Sequence, residues 1–138
     1  ARLSGRAVPP ANMAAILRHN LGEVEAPTIA PRELQALRAQ ASGPSGPVVL
    51  DVRSPEEFAG ELGHIDGALF LPLPEIEGRL SELVPHRGRP MVTVCKTEGR
   101  SVRAAELLRG HHFPTVSVLA GGMEAWHRAG LPVASERQ

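Results

Sequence analysis

The stretch MVTVCKTEGRSVRAAELL, residues 91–108, changes character halfway and sets the reading of the whole chain. Met91 to Cys95 is a short apolar run rich in β-branched residues, as expected for a strand covered on both faces. Lys96 to Gly99 is a polar loop. From Arg100 to Arg109 the apolar residues Ala104, Leu107 and Leu108 recur at helical spacing. A strand, a tight loop and a helix in that order form the unit from which open α/β sheets are built, and such sheets carry their ligand sites at the carboxyl ends of the strands. The only cysteine of the chain stands at that end, beside its only lysine.

Outward from this unit the alternation repeats. Pro31 pre-sets the first turn of a helix through Gln40, with Leu34 and Leu37 on one face, and the linker Ser42 to Pro47 ends it. Val48, Val49, Leu50 and Val52 read as a buried strand. Ser54-Pro55-Glu56-Glu57 reads as a helix start: Ser54 as N-cap, Pro55 at the first helical position and Glu57 reaching back to the cap. Ala68 to Leu71 is another apolar run, and Pro74 is expected to open a helix carrying Ile76, Leu80 and Leu83. Val116, Val118 and Leu119 form the last strand, Gly121-Gly122 the turn, and Met123 to Arg128 a closing helix on which Trp126 and Met123 are expected to be core residues. Strands separated by helices imply right-handed crossovers, hence an α/β fold with a parallel sheet and helices on both faces.

Composition bounds the function. The chain has 138 residues with 15 basic and 15 acidic side chains, 14 glycines and 13 prolines. That length suits one domain able to bury a core without staples, and one cysteine makes no disulfide framework. Zero net charge without a basic run argues against nucleic acid. No apolar stretch approaches the roughly 20 residues that a membrane helix requires, so no membrane partner is expected and the default compartment is cytoplasmic. Residues 1–26 read as an arm or linker carrying one amphipathic helix, Asn12 to Leu21, which leaves open an upstream domain or protein partner; residues 27–138 read as the domain.

Around Cys95 the chemistry is that of a nucleophile. Loop amides at a helix start, the helix dipole and the cations Lys96 and Arg100 all favour thiolate over thiol. Glu98 opposes that field. A buried structural cysteine is the competing reading, but a strand end before a glycine-containing dicationic loop suits the nucleophile better. Asp51 and Arg53 follow the neighbouring strand and are expected to support the loop. His64 reads as a turn residue bonded to the backbone. His111-His112 invites a metal, but with the cysteine committed elsewhere no metal or other cofactor is expected.

Three motifs, in register from about Thr28 to Val133, resemble the signatures of the rhodanese family. Asp51-Val52-Arg53-Ser54-Pro55-Glu56-Glu57-Phe58 with Gly63-His64-Ile65-Asp66-Gly67-Ala68 is similar to its amino-terminal signature. Cys95-Lys96-Thr97-Glu98-Gly99-Arg100-Ser101 resembles its active-site loop, and Gly121-Gly122-Met123-Glu124-Ala125-Trp126 with Ala129-Gly130-Leu131-Pro132-Val133 its carboxyl-terminal signature. The departure is Glu98, where small residues are more familiar. The resemblance implies a single domain with a five-stranded parallel sheet, in which Cys95 accepts a sulfane sulfur and the loop Lys96, Thr97, Glu98, Gly99, Arg100 and Ser101 binds the substrate. It implies a sulfurtransferase of the thiosulfate type, taking sulfur from thiosulfate or a persulfide and passing it to cyanide or a cellular thiol. Of the two loop cations, Arg100 is expected to brace and Lys96 to attract the donor. From Cys95 to Arg100 is six residues, whereas the related phosphatases and arsenate reductases use one more around a wider oxyanion; Val94 also departs from the His-Cys pair of tyrosine phosphatases. The alternatives are a silent binding module or a carrier domain that receives sulfur within a larger protein or complex.

Overall fold

The computed structural model describes residues 26–41 and 46–134. The arm expected over residues 1–26, with its helix from Asn12 to Leu21, lies outside the described residues except for Ala26. Five strands form one sheet: β1 (Thr28–Ile29), β2 (Val48–Asp51), β3 (Leu69–Phe70), β4 (Met91–Val94) and β5 (Val116–Leu119). Their order across the sheet is β1-β5-β4-β2-β3, and every pairing is parallel. The helices are α1 (Pro31–Gln40), α2 (Pro55–Phe58), α3 (Gly99–Gly110) and α4 (Gly122–Arg128).

The two central strands are buried at every position, which is why they read as unbroken apolar runs. Their side chains alternate between two cores. Val48, Leu50, Met91 and Cys95 join Ala104, Ala105 and Leu108 of α3 on one face. Val49, Val92 and Val94 join Leu34 of α1 and Met123 and Trp126 of α4 on the other. Cys95 continues the period-2 alternation of β4 and therefore emerges on the face that α3 covers. Thr93, two residues earlier, donates its hydroxyl to the Ser101 carbonyl at 2.9 Å and ties that strand to the first turn of α3.

One element departs from the sequence expectation. The segment after Pro74 is not an α-helix but three 3₁₀ turns, Leu73–Glu75, Glu77–Glu82 and Val84–His86. Gly78 weakens the helix from within, Pro85 lacks the N–H that a continuing helix needs, and Arg79 leaves helical geometry at φ −124°. Ile76 and Leu83 are buried all the same: the apolar spacing anchors the segment even though the helix is broken.

Candidate functional site

Cys95 follows the last residue of β4, its side chain 1% exposed. The Ser101 amide donates to its Sγ at 3.3 Å, from the first turn of α3, where backbone N–H groups are free and the helix dipole is positive. The thiol donates to the Ser101 hydroxyl at 3.4 Å, and that hydroxyl donates to the Glu98 carbonyl at 3.0 Å. The sulfur thus faces the Ser101 amide at a helix start, a setting that accepts negative charge.

Two neighbouring elements hold the loop. On the α4 side the Met123 amide donates to the Cys95 carbonyl at 2.8 Å and the Glu124 amide to the Lys96 carbonyl at 3.1 Å. Gly122, at φ +57°, lies so close that a Cβ would stand 2.2 Å from the Thr97 carbonyl oxygen and 2.4 Å from that of Cys95. Only glycine fits there. The Glu98 carboxylate accepts from the Gly121 amide at 2.7 Å. On the α2 side Arg100 makes a bidentate pair with Glu57, at 2.6 and 2.8 Å. Glu57 also accepts from the Ser54 amide at 3.0 Å and the Ser54 hydroxyl at 3.1 Å. These bonds, the Arg100 one foremost, draw the Glu57 carboxyl down to about 2; the guanidinium in turn holds its proton more firmly, chiefly through its bond to Glu57.

Beneath the loop lies the buried pair Asp51–Arg53, each side chain 1% exposed and 2.8 Å apart. Arg53 also donates through Nη2 to the Gly63 carbonyl at 2.8 Å, so the buried charge is both paired and hydrogen-bonded, as burial requires. Val52 bonds through its amide to the Val94 carbonyl at 2.9 Å, which sets this pair beside the residue preceding Cys95. Arg53 and Lys96 border an open cleft of about 430 Å³ whose other charged walls are Glu56, Glu57, Glu61 and Glu124.

The structure brings Cys95, Glu98, Arg100 and Ser101 together but leaves Lys96 and Thr97 exposed. The two full charges expected beside the thiol are each met by a carboxylate: Arg100 by Glu57, and Lys96, 54% exposed, by Glu124 at 3.8 Å. Sequence reasoning had Glu57 only as part of a helix cap; its capping box is present, and the same carboxylate reaches Arg100, 43 residues on. His64 stacks on Phe58 with ring centroids 3.8 Å apart, its Nδ1 3.1 Å from the Phe58 carbonyl. His111 lies 3.8 Å from Glu77, and among the described residues no cluster of three His, Cys, Asp or Glu side chains is placed to hold a metal.

Residues 31–129 match the family model of the rhodanese-like domain. The chain belongs to the rhodanese family. The rhodanese chain is 38% identical over 110 residues to an uncharacterized protein of Synechocystis, an alignment covering 80% of this chain and 57% of that protein; the chain thus spans little more than half of that relative's length. It is 36% identical over 106 residues to the thiosulfate sulfurtransferase GlpE of Ectopseudomonas mendocina, covering 75% of this chain and 86% of that one. Among solved structures, a rhodanese-related protein from Thermoplasma volcanium superposes with a TM-score of 0.68 at 26% identity, covering 80% of this chain and 99% of the other. Among the described residues no helix is long and apolar enough to cross a membrane.

Proposed function

We propose that this rhodanese domain is a sulfurtransferase that moves a sulfane sulfur from thiosulfate or a persulfide to a thiophilic acceptor through a Cys95 persulfide. The observation that supports this most is the sulfur's setting: Sγ under the Ser101 amide, at the carboxyl end of a central strand, in a loop held from both sides. The Cys95 thiolate attacks the outer sulfur of thiosulfate; the S–S bond of the donor breaks and sulfite leaves with its electron pair. The negative charge then rests on the terminal sulfur of the persulfide, where the amides of residues 96–101 stabilise it. Cyanide in the test tube, or a small thiol in the cell, attacks that terminal sulfur, carries it off and regenerates the thiolate. Donor and acceptor use the same site in turn, the double-displacement pattern of covalent catalysis. With one cysteine in these 138 residues, the domain has no second thiol to resolve the persulfide, so the acceptor is a separate molecule or a thiol of another domain.

The test is mass spectrometry after brief exposure to thiosulfate, together with thiosulfate:cyanide turnover. The expected result is one added sulfur on Cys95 and loss of both adduct and turnover in Cys95→Ser. Turnover retained by Cys95→Ser overturns the proposal. No adduct on the folded wild type favours a binding module.

A second reading is favoured by the burial of the thiol and by the four carboxylates at the adjoining cleft. Small dianions are poorly served there, so the domain would act as a carrier that receives sulfur from a partner protein or an upstream domain. Its signature is a persulfide that forms yet turns over slowly with free thiosulfate and faster with an organic persulfide.

A further inference from the structure

Glu98 is the one loop residue that departs from the pattern the loop resembles, and the structure gives its side chain a partner 23 residues away. Its Oε2 accepts the Gly121 amide at 2.7 Å. Gly121 has φ +72° and immediately precedes α4. The remaining bonds from that turn, Met123 to the Cys95 carbonyl and Glu124 to the Lys96 carbonyl, fasten only the first half of the loop. The second half is tied to the same turn by Glu98.

The backbone of Glu98 continues the link toward the sulfur. Its carbonyl accepts from the Ser101 hydroxyl at 3.0 Å and from the Val102 amide at 2.9 Å, and Ser101 is the residue whose amide and hydroxyl both reach Sγ. Gly99, next in the chain, has nothing within 4 Å of where a Cβ would be, so a side chain there would meet open space. The anion opposite an amide makes a charge-assisted bond, stronger than a neutral one.

Resting on the sulfurtransferase reading above, we propose that Glu98 is a positioning residue: it clasps the loop to the β5–α4 turn and thereby holds the Ser101 amide on the Cys95 sulfur. The carboxylate acts through Gly121 and Ser101 and does not touch the transferred sulfur.

The experiment compares Glu98→Ala, Glu98→Gln and Glu98→Asp in the full chain. Gln keeps a carbonyl oxygen at the same reach, whereas Asp keeps the charge but is one methylene short. Alkylation of Cys95 by iodoacetamide reports the state of the thiol without any sulfur donor, and the amide resonance of Gly121 in a ¹H–¹⁵N spectrum reports the clasp. Glu98→Ala and Glu98→Asp are expected to slow alkylation and sulfur loading about tenfold, within the ~100-fold that a 1 Å misplacement costs, and to move the Gly121 amide upfield. Glu98→Gln is expected to stay within about threefold of wild type, since it keeps the bond in weaker, neutral form. Wild-type alkylation rates in Glu98→Asp, or an unmoved Gly121 resonance in a folded Glu98→Ala, overturn the proposal; should Glu98→Ala not fold, Glu98→Asp decides it. Because alkylation and the amide shift need no sulfur transfer, a wild type that fails to transfer sulfur sinks the functional reading while leaving the clasp to be decided by these two measurements.

Discussion

The cysteine loop is held on its α2 side by side chains and on its α4 side mainly by backbone. Toward α2 the contact is charge on charge: Glu57 with Arg100, the carboxylate being steadied by Ser54. Toward α4 it is amide on carbonyl, from Met123 and Glu124, made possible because Gly122 offers no Cβ. The first kind of contact is directional and titratable; the second is steric and has no protonation state to change. The two sides are therefore expected to fail in different ways.

The largest effect is expected on the backbone side. Gly122→Ala puts a methyl group 2.2 to 2.6 Å from three loop carbonyls at once and forces a positive φ on a residue that resists it. None of those atoms is the tip of a flexible side chain, so the loop itself must move. A stability loss of about 3 kcal/mol or more is expected from overpacking and backbone strain together. Sulfur loading of Cys95 is expected to fall by about 100-fold or more, since the displaced carbonyls include that of Cys95 itself. Urea unfolding and the loading rate, measured on the same preparation, check both; a Gly122→Ala protein that loads sulfur at the wild-type rate contradicts the close approach.

The side-chain wall should give a smaller and more selective loss. Glu57→Gln preserves the shape and part of the Ser54 cap but replaces the ionic bidentate pair with one hydrogen bond from the guanidinium to an uncharged amide oxygen. With Arg100 still able to reach water, about 1 kcal/mol of stability is expected to go, and loading is expected to slow about fivefold as the helix start loosens. Arg100→Lys should behave alike, because an ammonium cannot span both carboxylate oxygens. If Glu57→Gln costs as much as Gly122→Ala, the distinction between the two walls is wrong.

How far this site could be read in the sequence follows the same division. The strands β2 and β4 were legible because burial on both faces leaves an unbroken apolar run, and the placement of Cys95 followed from the strand–loop–helix order. The capping box at Ser54 and Glu57 was legible because it is local. The Glu57–Arg100 pair was not: it joins residues 43 positions apart, and nothing in either motif alone indicates that a capping carboxylate has a second partner. Gly121-Gly122 was legible as a turn, but the reason the second glycine must be glycine is a tertiary approach to Thr97 and Cys95. The segment after Pro74 misled because Ile76, Leu80 and Leu83 have helical spacing, while Gly78 and Pro85 interrupt the backbone that the spacing implies.

Acid separates the walls by a smaller margin. Glu57 is drawn from 4.5 to about 2 in the folded protein, first by Arg100. A depressed carboxyl contributes stability that is fully present above its unfolded value and is lost as pH falls through the folded one. The Tm difference between wild type and Glu57→Gln is therefore expected to be constant above pH 5 and to shrink between pH 4.5 and 2. The deficit of Gly122→Ala is expected to show no such narrowing, as no titrating group creates it. Thermal melts of the three proteins across that window provide the measurement, and parallel curves for both variants refute the assignment of the pair.

The smallest effect belongs to Lys96. Its ammonium stands 3.8 Å from Glu124, with the two side chains 54% and 42% exposed. At that separation in water an ion pair is worth about 0–0.5 kcal/mol, and salt screens what remains. Lys96→Ala is thus expected to leave stability within about 0.5 kcal/mol of wild type, although the residue adjoins Cys95. Its charge still bears on encounter, because the cleft it borders carries Glu56, Glu57, Glu61 and Glu124, and removing one of few cations there makes approach by an anion harder. Loading by thiosulfate is expected to slow about twofold to threefold at low salt, and the difference is expected to vanish as ionic strength rises past about 0.5 M. Loading by a neutral donor such as an organic trisulfide should not change at any salt concentration. A loss that persists at high salt, or that extends equally to the neutral donor, would mean that Lys96 shapes the loop as Gly122 does instead of acting as a screened point charge, and the α4 wall would then hold the loop by a second side chain besides Glu98.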